Sequence, residues 1–108
     1  MIGAGIEVQG TASQAQLWAL ILGGDWPIQQ GNDFKLVIRM TGQGPLQLTA
    51  ITPQHQTLAV PMDEHGGSNW DRPGEEWGYP WAFTQTGCWQ LHATRGNASG
   101  DIWLPIAP

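Results

Sequence analysis

The chain has 108 residues, a formal net charge of -5 with four Lys and Arg in all, 41% hydrophobic residues and only 12% charged ones. That length is the size of one compact domain, so residues 1–108 read as a single domain. Four scattered cations, Lys35, Arg39, Arg72 and Arg95, exclude the clustered basic patch that nucleic acid or an anionic membrane surface requires.

Cys88 is the only cysteine, which excludes an intrachain disulfide and a cysteine-based zinc site. Fifteen Gly and eight Pro call for many turns, favouring short strands over helices. The longest apolar run, Leu17 to Leu22, is too short to span a bilayer. Met1 to Gly5 carries no basic n-region, so no signal peptide is read there. The abrupt start reads as a mature domain cut from a longer secreted precursor.

In chain order, Gly5 to Gly10 alternates as a first, edge strand. Thr11 to Gln14 reads as a polar connection. Ala15 to Leu22 is the most apolar run, stopped by Gly23-Gly24, and is predicted as a central strand. Asp25-Trp26-Pro27 and Asn32-Asp33 are turns. Phe34 to Thr41 is a strand with Phe34, Leu36, Ile38 and Met40 on one face and Lys35, Val37 and Arg39 on the other. The tight turn Gly42 to Pro45 leads into Leu46 to Ile51, forming a hairpin. A turn at 52–56 precedes a short strand, Thr57 to Val60. Residues 62–79 show no period and are predicted as one long loop rich in Trp. Pro80 to Thr84 resumes as a strand.

The central element is Thr86 to Arg95. Trp89, Leu91 and Ala93 alternate there with Gln90, His92 and Thr94, giving an apolar and a polar face. The turn Gly96 to Gly100 leads into the last strand, Asp101 to Ile106, with Ile102, Leu104 and Ile106 inward. Pro105 places part of that strand outside a central ladder. The sum is an all-β, antiparallel β-sandwich of seven to eight strands.

The stretch Thr86-Gly87-Cys88-Trp89-Gln90-Leu91-His92-Ala93-Thr94-Arg95 resembles the penultimate strand of bacterial immunoglobulin-like domains. Those domains carry a Gly-Cys-Trp or Gly-x-Trp/Tyr lead-in, then apolar residues at every second position. Phe83 before the turn at Gln85-Thr86, and the hairpin into Asp101 to Leu104, fit the same layout. Glu64 to Gly78 resembles insertions in uncharacterised secreted bacterial proteins of this type. The resemblance implies an immunoglobulin-like sandwich in an extracellular or cell-envelope setting. It lacks the paired cysteines of antibody domains, so hydrophobic packing must hold the sheets.

Candidate chemistry falls in four places. The 62–79 loop and its edge hold Trp70, Trp77, Tyr79 and Trp81 beside Asn69, Asp71 and Glu75. Flat rings next to carboxylates and amides are what sugar binding uses. The competing reading folds those rings inward as a small core closing one end of the sandwich. Asp63, Glu64 and His65 are candidate metal ligands, but no Asp-x-Asp-x-Asp-Gly loop is present, so no metal or other cofactor is assigned.

For catalysis, Ser68 near His65 and Asp71 lacks the Gly-x-Ser-x-Gly elbow. Cys88 and His92 share a strand face but lie about 13 Å apart at strand rise, so they form no direct dyad. The chain is therefore read as a non-enzyme. The polar face of the central strand, with His92, Gln90, Thr94 and a neighbouring Trp103, is the fourth place. There it joins Lys35 and Arg39 as a candidate flat binding sheet. The expected function is a non-catalytic binding or accessory module, monomeric or weakly self-associating, whose partner is carbohydrate or another protein. The alternatives are a carbohydrate-binding module that uses the Trp-rich loop and a purely structural domain.

Overall fold

A computed structural model describes residues 6–23, 26–65 and 72–108. The described residues form eleven strands and no helix. In chain order these are β1 (Ile6–Gln9), β2 (Thr11–Ser13), β3 (Leu17–Leu22), β4 (Ile28–Gln29), β5 (Phe34–Met40) and β6 (Leu46–Ile51). Then come β7 (Thr57–Val60), β8 (Asp63–His65), β9 (Glu75–Trp81), β10 (Gly87–Arg95) and β11 (Ala98–Ala107).

They make two sheets packed as a sandwich. The first has the order β1-β3-β5-β9-β8, and the second the order β2-β11-β10-β6-β7, with β4 added beside β11. All the pairings are antiparallel except that of β4 with β11, which is parallel. The antiparallel sandwich expected from strand spacing is what the two sheets form, and the immunoglobulin-like arrangement that the resemblance implies is compatible with it. The described residues hold eleven strands where seven to eight were expected, because short edge pieces such as β2, β4 and β8 pair as well.

The core lies between the sheets and follows the period of two. Leu36, Ile38 and Met40 of β5 face Leu91 and Ala93 of β10 and Ile102 and Leu104 of β11, all buried. Trp89 is fully buried. Its ring meets Phe83 edge-on at 5.0 Å, and its indole N–H donates to the Gln85 carbonyl at 2.9 Å. Phe83 in turn stacks on Phe34 and takes the edge of Trp81. One aromatic cluster thus closes one end of the sandwich.

The strand β3, at the centre of the first sheet's apolar part, is buried on both sides. Leu17, Ala19 and Ile21 of β3 enter the main core, while Trp18 and Leu20 join Val37 in a second cluster on the outer face. This double burial explains why Leu17 to Leu22 is apolar without alternation.

Gly10 marks the point where the chain leaves the first sheet for the second. A Cβ there would stand 2.6 Å from the Asp101 carbonyl oxygen, so the crossing admits only glycine.

Four expectations are corrected. Thr11–Ser13, expected as a connection, pairs with β11 as a strand. The segment 62–79, expected as one long loop, contains β8 and most of β9, which pair with one another. The strand expected at Pro80 to Thr84 instead begins at Glu75 and ends at Trp81. Lys35 and Arg39 lie on β5 in the first sheet and do not join Gln90, His92 and Thr94.

Candidate functional site

The strand β9 decides what becomes of the Trp-rich segment. Its register sets Glu75 opposite Met40, Trp77 opposite Ile38, Tyr79 opposite Leu36 and Trp81 opposite Phe34. All four partners point into the core, so the three β9 rings do too. Trp77 is 3% exposed and Trp81 is half-buried. The Trp81 indole N–H is buried and has no hydrogen-bond partner among the described residues. Glu75 is held by the Arg95 guanidinium. Asn69, Trp70 and Asp71 lie outside the described residues.

Asp63 and Glu64 are neighbours on β8 and therefore point to opposite sides of the sheet. Among the described residues no three His, Cys, Asp or Glu gather to hold a metal ion.

The other two candidates, His92 and Trp103, come together. They stand on adjacent strands of the second sheet, one register step apart: Gln90 faces Trp103 and His92 faces Asp101. Alternation along β10 and β11 turns Trp89, Leu91, Ile102 and Leu104 inward. It leaves Cys88, Gln90, His92, Asp101, Trp103 and Pro105 on the outer face.

Trp103 is 51% exposed. Beside it opens a cleft of about 310 Å³, lined by Ile51, Thr52, Pro53, His55, Cys88, Gln90 and Trp103. The wall opposite the indole is the turn after β6. There the Gln56 N–H donates to the Thr52 hydroxyl, the Thr52 N–H to the Gln56 carbonyl and the His55 N–H to the Thr52 carbonyl. His55 takes the left-handed conformation that this tight turn needs.

Alongside the cleft, the Asp101 Oδ1 accepts from the Gln90 side-chain amide and meets His92 Nδ1, each at 2.7 Å. Asp101 thereby fixes the amide and the imidazole in place. Sequence reading identified the 52–56 turn but placed neither it nor Asp101 beside Trp103. The signal for Asp101 was its place two residues before Trp103, on the same strand face.

The outer faces of the two sheets differ in charge. The first carries Glu7, Lys35, Arg39 and Glu76, with Arg39 joined to Glu76 at 2.8 Å and Arg72 joined to Glu7 at 2.5 Å. The second carries Thr11, Ser13, Gln47, Thr49, Gln90 and Thr94 around Trp103, with Asp101 as the one acidic group among the described residues of its strands.

Comparison with protein-family models, with curated proteins and with solved structures gives no match.

Proposed function

We propose that this chain is a non-catalytic binding module whose ligand seats on the outer face of the second sheet, with Trp103 as its anchor. One observation carries the reading: a half-exposed indole beside a cleft that contains no Lys, Arg, Asp or Glu. A large ring left in water on a sheet face gives up burial worth about 1.5–3 kcal/mol, which a partner recovers on binding. An extracellular or cell-envelope setting belongs to the same reading. The low charge content and the Thr, Ser and Gln surface support it. The β9 strand serves a ligand less well, because Trp77 is buried and Glu75 is engaged by Arg95.

The test uses the seven indole N–H signals of the intact 15N-labelled chain. A library of small sugars, short peptides and organic phosphates is titrated while these signals are followed. Saturable movement of the Trp103 signal, assigned by its absence from Trp103→Phe, is the expected result, and in Trp103→Ala any remaining movement of the other indole signals should saturate only at higher ligand concentration. Titrations that leave Trp103 still with every compound overturn the reading.

A further inference from the structure

We infer that the ligand of the Trp103 face is a neutral, linear glycan lying across the strands, an inference that rests on the binding-module reading above. The argument starts from charge. Among the described residues the cleft lining holds no Lys, Arg, Asp or Glu, and the carboxylate beside it, Asp101, already receives Gln90 and His92. A polyanion finds no cation here, in a chain of net charge -5. A cationic peptide finds a single carboxylate whose Oδ1 is shared between two donors. A neutral partner buries no unpaired charge of its own and so avoids the largest desolvation cost.

The remaining chemistry is that of a sugar. The indole of Trp103 offers a flat π-face on which the C–H face of a pyranose ring stacks. Around it stand an amide at Gln90, a hydroxyl at Thr49, an imidazole at His92 and the carboxylate of Asp101. These groups both donate and accept, as a ring of sugar hydroxyls does. Gln90 and His92 are positioned in advance by Asp101, so fewer rotamers are lost on binding. A proline-rich peptide, by contrast, needs a groove between several aromatic ridges. Within the paired strands of this face Trp103 stands as the single ring among the described residues.

Register supplies the direction. Trp103, Gln90, Ile51 and Thr57 form one row across β11, β10, β6 and β7. Asp101, His92, Thr49 and Ala59 form the next. Strands stand about 4.8 Å apart, close to the span of one sugar unit. A chain crossing the strands therefore meets one side chain per unit, with Trp103 at one end of its track.

The experiment is native affinity electrophoresis of the full chain through gels holding hydroxyethyl cellulose, laminarin, xylan, galactomannan or, as a polyanion, dextran sulfate. At least one neutral polymer should retard the chain, and Trp103→Ala should weaken that retardation roughly tenfold or more. Gln90→Ala should weaken it less. Gln9→Ala, on the exposed outer side of the first sheet, should change nothing. Retardation by dextran sulfate alone, or a loss caused by Gln9→Ala, overturns the inference. So does the absence of retardation in every neutral gel while the Trp103 signal still moves with a peptide or phosphate; in that case the binding-module reading survives. Failure of both measurements removes the two together.

Discussion

The Arg95 guanidinium lies 4.9 Å from the centre of the Trp77 ring, and through that contact the second sheet grips the first. Arg95 is the last inward residue of β10, and Trp77 sits in the middle of β9. The same guanidinium donates to the Met40 carbonyl at 2.6 Å and the Gly44 carbonyl at 2.8 Å, and pairs with Glu75. A buried charge is tolerated only when its donors are satisfied in this way. Arg95 therefore ties β5, β9 and the β5–β6 turn to β10 at the end of the sandwich opposite the Phe83 cluster.

Arg95→Met is the sharpest test of that tie. The thioether fills the space but donates nothing, so the Met40 and Gly44 carbonyls lose their partner. Each buried group left so costs about 1–3 kcal/mol, and the expected total is about 3 kcal/mol. Arg95→Lys keeps the charge, yet an ammonium cannot span the same fork of acceptors, so most of the loss should remain. Urea unfolding followed by Trp fluorescence measures both. A loss under about 1 kcal/mol for Arg95→Met would mean the two sheets hold without this residue.

Trp89 plays the corresponding part at the other end. It is fully buried, in edge contact with Phe83, and donates its indole N–H to Gln85. Trp89→Ala is expected to cost about 3–5 kcal/mol, a large share of the ~5–15 kcal/mol that holds a domain of this size. Trp89→Phe, which keeps ring volume but not the N–H, should recover more than half. A melting temperature for Trp89→Ala within a few degrees of the parent would contradict the inward register of β10.

What the sequence disclosed follows from local periodicity. β6, β10 and β11 bury one face each, and β5 does so apart from Val37, so Phe34 to Met40 and Trp89 to Ala93 alternate visibly and their facing could be read directly. β9 alternates as well, with Trp77, Tyr79 and Trp81 at every second position. Gly78 and Pro80 between them resemble turn residues and hid the strand. Which sheet a strand joins is not local: Lys35 and Arg39 look like neighbours of His92 until β5 is seen to pair with β3 and β9. The candidate site divides the same way. The outward facing of His92 and Trp103 was legible from alternation. The cleft was not, because its second wall is the Thr52–Gln56 turn, brought alongside only by the β6–β10 pairing.

Gly74 precedes β9 with a φ of +100°, and a Cβ there would stand 2.5 Å from the Met40 carbonyl oxygen. Its own carbonyl accepts from Arg39 at 2.8 Å. An alanine faces both an unfavourable backbone region and a backbone atom that cannot step aside, because Met40 O also receives Arg95. Gly74→Ala should therefore destabilise by more than about 1 kcal/mol. Gly23→Ala is the comparison, since Gly23 has φ +85° but nothing within 4 Å of a built Cβ, and should cost less. Equal midpoints for the two variants in urea would show that the close approach at Gly74 carries no energetic weight.

Cys88 is a free, exposed thiol that lines the same cleft as Trp103. It stands on the polar face of β10, and Trp89 beside it points the other way. A small alkylating reagent should therefore modify it in the folded chain, to a single adduct, with little loss of stability, because nothing packed is displaced. Mass spectrometry of the native reaction and a urea curve of the product check both points. A bimane placed on Cys88 extends the test to the cleft itself. Indole quenches bimane on contact, and Trp103 is the ring on that face, so the label should be dim in the parent and bright in Trp103→Phe. Equal brightness in the two chains would mean that Cys88 and Trp103 do not share one cleft in solution. The quenching also reads out occupancy: a molecule seated on Trp103 parts the two groups, so the dim label should brighten as the site fills.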